Sequence, residues 1–268
     1  MKCARFHHIP GALVVAAALF ATALPAFPRI THTRPSASSA PSVWEPSLWA
    51  PFSSLVLGSG VEYQRDRDAI EWGFPVLIEH NFTERLKLTI EPQFANIVSK
   101  SPDVRSVRGF GDLETSLDYE FLRERRYRPA LSFEGWVKWP TASDPDLGEP
   151  GRDYGLGLIA SKDLIVVDVG VNVLYVFSGN RDRHDELDFS LATEWPVSRR
   201  VDLIAEIANV TRLGGSRRSS DQPANETEAT FGFAWHANKF LKFEQGVVFK
   251  ERGVWQVVFA WEWSLGGD

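Results

Sequence analysis

From about residue 54 onward this chain alternates apolar and polar side chains with a period of two, in segment after segment. In residues 112–121 one face is Leu113, Thr115, Leu117, Tyr119 and Phe121, and the other is Asp112, Glu114, Ser116, Asp118 and Glu120. Residues 185–195 set Leu187, Phe189, Leu191 and Trp195 against Glu186, Asp188, Ser190 and Glu194. The last segment sets Trp255, Val257, Phe259, Trp261, Trp263 and Leu265 against Gln256, Val258, Ala260, Glu262 and Ser264. A β-strand sends successive side chains to opposite faces and keeps such sets apart, whereas a helix would mix them.

Continued along the chain, the alternation predicts twelve strands, near 54–65, 70–81, 86–98, 111–121, 128–140, 152–161, 164–178, 185–196, 200–210, 226–236, 239–250 and 254–265. At about 10 to 13 residues, most are longer than strands of soluble sheets and match the roughly 9 to 11 that a tilted strand needs to cross a bilayer. Polar connections at 99–110, 141–151, 179–184 and 211–225 follow odd-numbered strands, and short turns such as 81–85, 161–163 and 237–238 follow even-numbered ones. The short connections near Arg67 and Arg252 break that rule. An even strand number, with long loops at one end and short turns at the other, predicts an all-β fold: an antiparallel up-and-down transmembrane barrel.

A soluble sandwich also alternates, so the direction of the apolar face needs its own argument. In a membrane barrel, aromatic residues gather at both strand ends, where ring and polar tip meet lipid and headgroup, while aliphatic residues fill the middle. With the N-terminal end of the first strand on the periplasmic side, Tyr63, Trp72, Trp139, Tyr154, Tyr175, Phe177 and Trp255 fall on the outer rim. Phe82, Tyr119, Phe121, Trp195, Trp235, Trp261 and Trp263 fall on the inner rim, with Val76, Leu117, Leu156, Val171, Leu203 and Val257 among the residues between.

On the opposite face carboxylates far outnumber basic groups; Lys87, Lys138 and Lys242 are the minority. Unpaired carboxylates cannot sit in a dry core, because a buried ion without a partner costs several kcal/mol or loses its charge. The expectation is a narrow, hydrated, acidic pore, since eight-stranded barrels are filled by their side chains and 16-stranded ones hold a channel. Its candidate lumen residues toward a permeant are Glu114, Asp118, Glu134, Lys138, Asp168, Glu206, Glu228 and Glu262.

Before the alternating region, Lys2 and Arg5 precede an apolar run at 12–24, and small residues follow, which predicts a secretory signal peptide cleaved after Ala26. The run is about 13 residues, short of the roughly 20 a spanning helix needs. Cys3 precedes the run instead of following it, which argues against a lipoprotein site, and it is the chain's one Cys, so the exported part would have no disulfide or thiolate metal site. Loss of residues 1–26 would take the formal charge from −6 to −8. That charge argues against nucleic-acid binding, which needs a clustered basic surface. Residues 27–53, rich in Pro and Ser, read as a flexible segment in which Trp44 and Trp49 stand out. No later window approaches 18 uninterrupted apolar residues, which excludes a helical membrane protein beyond the leader.

Three elements resemble the outer-membrane family known as the putative MetA pathway of phenol degradation. They are Gly109-Phe110-Gly111-Asp112-Leu113 opening a strand, Lys138-Trp139-Pro140-Thr141 closing one, and the Gly-rich Asp153-Tyr154-Gly155-Leu156-Gly157. The resemblance is best over residues 105–180, and its motif positions here are Gly109, Gly111, Asp112, Pro140 and Thr141. It implies an outer-membrane barrel that helps aromatic or other hydrophobic compounds across, and brings no catalytic residues with it. Ala142 stands where that family has Gly, and the chain ends Trp263-Ser264-Leu265-Gly266-Gly267-Asp268 instead of on an aromatic residue.

No Gly-x-Ser-x-Gly elbow, His-Glu-x-x-His helix, phosphate-binding loop or cofactor motif is present. His80 and His236 are the candidate bases if the barrel were a hydrolase, and Glu226 with Glu228, or Glu186 with Asp188, the candidate Ca²⁺ pairs; a structural role is preferred for all of them. The sequence therefore predicts a passive outer-membrane channel, not an enzyme, with no cofactor and no metal. Its expected partners are outer-membrane lipids, a small-molecule permeant and the barrel-insertion machinery. The competing reading is a structural or partner-binding barrel without flux.

Overall fold

The computed structural model describes residues 55–65, 69–99, 106–180, 183–213, 225–251 and 254–265. The predicted leader, its cleavage site and the segment with Trp44 and Trp49 lie outside them. The described residues form fourteen segments: β1 (Leu55–Arg65), β2 (Ala69–Thr83), β3 (Leu86–Glu91), β4 (Gln93–Ser99), β5 (Val107–Phe110), β6 (Leu113–Leu122), β7 (Ala130–Trp139), β8 (Asp153–Asp163), β9 (Asp168–Phe177), β10 (Asp185–Pro196), β11 (Val201–Leu213), β12 (Asn225–His236), β13 (Leu241–Lys250) and β14 (Trp255–Leu265).

These segments make twelve staves. β3 and β4 are two halves of one stave interrupted at Pro92, and β5 and β6 are halves of another interrupted at Gly111 and Asp112. All the pairings are antiparallel between neighbouring staves, and β1 pairs with both β2 and β14, which closes the barrel.

The strands predicted from alternation run unbroken through Pro75 and Pro92; the structure keeps β2 continuous through Pro75 and corrects the second, which divides at Pro92 into β3 and β4. Proline lacks the amide donor that a central strand needs. Accordingly, the β1–β2 ladder has no pairs between Ser59↔Val76 and Glu62↔Gly73, with the register unchanged across the gap, while Ser59 Oγ donates to the Pro75 carbonyl at 3.0 Å. At Pro92 the carbonyl accepts from Val76 N at 3.0 Å. The loop expected at 99–110 is also shorter, because Val107–Phe110 pairs with β4 and the Phe110 ring packs edge-on against Phe94 at 5.7 Å.

The two ends differ as expected. Turns at 84–85, 123–129, 164–167, 197–200 and 237–240 occupy one end, and the longer connection at 140–152 occupies the other, where β11 ends at Leu213 and β12 begins at Asn225. The outward face carries the girdles. At the long-loop end Trp72, Tyr154, Phe177 and Trp255 are exposed, with Tyr63 packed between Trp72 and Trp255 at 4.9 and 5.7 Å. At the short-turn end Phe82, Tyr119, Phe121, Trp235, Trp261 and Trp263 are exposed. Exposed Val76, Leu117, Phe133, Leu156, Leu203 and Phe231 lie between. This is the reverse of a soluble protein, with large apolar side chains outside and carboxylates such as Glu62, Asp118 and Glu134 buried inside.

Candidate functional site

Strand parity decides which residues reach the lumen. Glu114 and Asp118 on β6, Glu134 and Lys138 on β7, Glu206 on β11 and Glu262 on β14 all point inward and are buried. Asp168 and Glu228 share the inward parity near their strand ends and are half-buried. The same parity brings in Trp136, which is 1% exposed and packs against Leu174 and Val176. An added Cβ at Gly155 would stand 3.1 Å from the Trp136 ring, so this glycine leaves room for the indole. The inner face is thus not uniformly acidic, and position 136, between Glu134 and Lys138, carries the signal.

The structure also changes the expectation of unpaired carboxylates. Lys138 Nζ lies 2.5 Å from Glu149 and 2.5 Å from Asp153. Lys87 lies 3.3 Å from Glu79 and 3.8 Å from Asp118, and Lys242 lies 3.1 Å from Glu244 and 2.7 Å from Glu262. Arg212 bridges Glu186 at 3.2 Å and Glu226 at 3.3 Å, so one carboxylate from each candidate Ca²⁺ pair serves a guanidinium instead. Each of these cations is shared by two carboxylates, which offsets desolvation and leaves the lumen negative in sum. Glu114 accepts a hydrogen bond from Trp136 Nε1 at 3.1 Å.

Glu149 escapes the sequence reading, since loop residues carry no periodic signal. It belongs to the 140–152 connection, which tucks into the long-loop mouth. Leu147 packs on Ala95 and Ile97, and Glu149 touches Arg183, which also reaches Asp153 at 3.0 Å. The motif residues hold this loop. Asp112 accepts from the Ala142 amide at 3.1 Å and the Glu149 amide at 2.8 Å, while Thr141 Oγ1 accepts from Leu113 N at 2.9 Å and donates to the Gly111 carbonyl at 3.4 Å. Ser143 N donates to the Phe110 carbonyl at 2.8 Å, and Pro140 ends the β7 pairing next door. A side chain at Gly109 would collide with Ser143, and one at Gly148 would start 2.6 Å from Asp112 Oδ1. Asp112→Ala is expected to release residues 141–149 at a cost of about 2 kcal/mol, because two charge-assisted hydrogen bonds to buried amides disappear together. Hydrogen exchange at those amides measures it, and unchanged protection would refute the latch.

The same loop is expected to respond to pH. Burial pushes the Glu149 carboxyl up to about 7, although Lys138 and Arg183 pull it down and Asp153 adds to the rise. A released loop returns it to the ordinary value of 4.5. The docked form therefore keeps a proton that the released form loses, so docking is fully favoured below about 4.5 and weakens as pH rises through about 7. Protease cutting within 140–152 should accelerate on the order of tenfold between acid and mildly alkaline buffer. Glu149→Gln should flatten that profile.

His80 and His236 do not meet. His80 is on the outward parity with its ring edge-on to Phe82 at 4.7 Å, and His236 Nε2 lies 2.5 Å from Asp202 Oδ2 at the short-turn end.

No family model matches the sequence, and neither does any curated protein sequence. Solved structures do match in shape. The COG4313 outer membrane channel from Pseudomonas putida F1 superposes with a TM-score of 0.65 at 14% identity, over 83% of this chain and 100% of that one. The chain has the fold of outer-membrane β-barrels. The NanC porin gives a TM-score of 0.58 at 10% identity over 78% of this chain and 100% of its own, and the KdgM porin, solved with disordered oligogalacturonate, gives 0.55 at 10% over 80% and 99%. At such identities the likeness is one of architecture, and the plan common to barrels of this kind puts short turns on the periplasmic side.

Proposed function

We propose that this protein is a passive channel of the bacterial outer membrane, exported by the leader, whose negative lumen favours cationic and neutral small molecules over anions. One observation carries the reading: inside a closed twelve-stave barrel, each of Lys87, Lys138, Lys242 and Arg212 is shared by two carboxylates, while further acids such as Glu134 and Glu206 line the same face. Glu114, Asp118, Glu134, Lys138, Asp168, Glu206, Glu228 and Glu262 are the groups assigned to the permeation path. The resemblance to the MetA-pathway family extends the proposal to aromatic permeants. An acidic lumen then favours neutral phenols over benzoate-like anions, because charge of one sign in a low-dielectric passage repels the anion. The girdles hold the barrel among outer-membrane lipids, and the outward Trp261, Trp263 and Leu265 of β14 are what the insertion machinery would read.

Planar-bilayer recording of the refolded protein in a salt gradient tests this. Unit conductance steps with a cation-favouring reversal potential are expected, and liposomes should admit a neutral phenol faster than benzoate. Absence of conductance with folded barrel in the bilayer would overturn the channel.

A further inference from the structure

At the short-turn mouth of the lumen, three neighbouring staves converge on a mixed set of metal-binding groups. Glu194 on β10, Asp202 on β11 and His236 on β12 each present one ligating atom, and these atoms all lie within 4.8 Å of one another. The register makes this convergence. Asp202 is paired with Pro196 on one side and Ala234 on the other, so Glu194 and His236 each sit two residues from a direct partner of Asp202 and share its inward face. The His236 amide donates to the Arg200 carbonyl at 2.9 Å, which fixes the end of β12 against the turn. The Asp202 side chain is 11% exposed and that of His236 37%, so the site is walled by protein and open at the mouth.

A second observation also points to a cation there. Glu244 on β13 is paired with Ala234, so only a methyl group separates its row position from that of Asp202. Glu244 is 4% exposed, is within electrostatic range of Glu194, and its Oε2 accepts no hydrogen bond. Asp168, the direct partner of Glu194 on β9, is in range of both Glu194 and Asp202, and its Oδ1 likewise accepts none. Lys242, the cation beside Glu244, is already shared with Glu262. Glu244 and Asp168 thus add their charge to the field around Glu194, and each keeps one buried oxygen that accepts no hydrogen bond.

We propose that Glu194, Asp202 and His236 bind a divalent first-row transition cation. Imidazole with carboxylate is a donor set suited to Zn²⁺ and its neighbours, whereas Mg²⁺ and Ca²⁺ prefer oxygen alone. Ligand bonds of about 2.0 to 2.2 Å place donor atoms roughly 3.3 Å apart in a tetrahedral site, within the spread seen here, and the fourth position is left to water. The His236–Asp202 contact opens slightly to admit the ion. The site does not depend on flux, so its test is separate from that of the channel.

The test is Zn²⁺ binding to the refolded full chain, without an added histidine tag, by equilibrium dialysis near neutral pH. One Zn²⁺ per barrel is expected, weakened at least about tenfold in His236→Asn and in Glu194→Gln, unchanged in His80→Asn, and not displaced by millimolar Mg²⁺. Imidazole NMR of ¹⁵N-histidine-labelled protein should show His236 as the ring that shifts, among the six histidines of the chain. Binding that survives His236→Asn, or a spectrum in which another ring responds, would overturn the assignment, as would no binding at all. If His236→Asn fails to give the folded, heat-modifiable form, Glu194→Gln and the wild-type spectrum decide between these outcomes.

Discussion

Above about pH 7, where the docked Glu149 is ionised, Lys138→Met destabilises the folded barrel by about 3 to 5 kcal/mol, the largest single-residue effect expected in the lumen. The reason is what the lysine leaves behind. Its side chain is 4% exposed, and those of its partners Glu149 and Asp153 are 7% and 0% exposed, so little solvent screens the loss. Removing one member of a buried ion pair strands the charge of the other, which costs more than the pair itself contributes. Here two carboxylates compete for Arg183, which already contacts both. Urea unfolding of the refolded protein measures the difference, and Lys138→Arg should restore much of it. The double substitution Lys138→Met with Glu149→Gln should recover part of the loss, since one stranded charge goes with it. A midpoint unchanged by Lys138→Met would mean that the network is solvated instead of buried.

Neutralising Glu114, Asp118 and Glu134 together, by Glu114→Gln, Asp118→Asn and Glu134→Gln, reduces cation over anion permeability by about an order of magnitude. A passage with low-dielectric walls focuses the field of its lining and concentrates counter-ions accordingly. These three groups lie on adjacent staves, with Asp118 directly opposite Glu134, and are 5%, 1% and 0% exposed. The amides keep the volume, the carbonyl oxygen that Glu114→Gln introduces can still accept from the Trp136 indole, and Lys87 retains Glu79. The reversal potential in a salt gradient should move toward zero while single-channel conductance persists. Unaltered selectivity would place the permeation path away from β6 and β7.

Much of this architecture is legible in the sequence because a barrel stave is a local code. Parity alone places Glu114, Asp118, Glu134 and Lys138 on one face and Leu117, Phe133 and Tyr119 on the other, and loop lengths assign the two ends. Parity also holds Trp136, whose neighbours Glu134 and Lys138 announce its direction; a rule that equates aromatic with outward hides it. Pro75 and Pro92 show a different limit. Alternation continues across both, so the pattern gives no sign that the stave divides at Pro92 or that the β1–β2 ladder loses pairs beside Pro75, although the missing amide does. The tucked loop is out of reach for another reason. Asp112 meets Ala142 and Glu149 through backbone amides, which nearly every residue possesses, so no side-chain pattern marks the partners. The motif residues Gly109, Gly111, Asp112 and Thr141 are visible as a group, but their common purpose emerges only when the loop is seen lying on them.

The split stave that carries β5 ends in four residues that, among the described residues, are bonded as a strand to β4 on one side only. An unpaired strand margin invites pairing by a foreign chain, and crowded outer-membrane precursors supply many. Phe110 instead spends its amide and carbonyl on Ser143, inside its own molecule. The 140–152 connection that Asp112 holds in place therefore also covers the outer margin of β5 at Phe110, where a further strand would otherwise add.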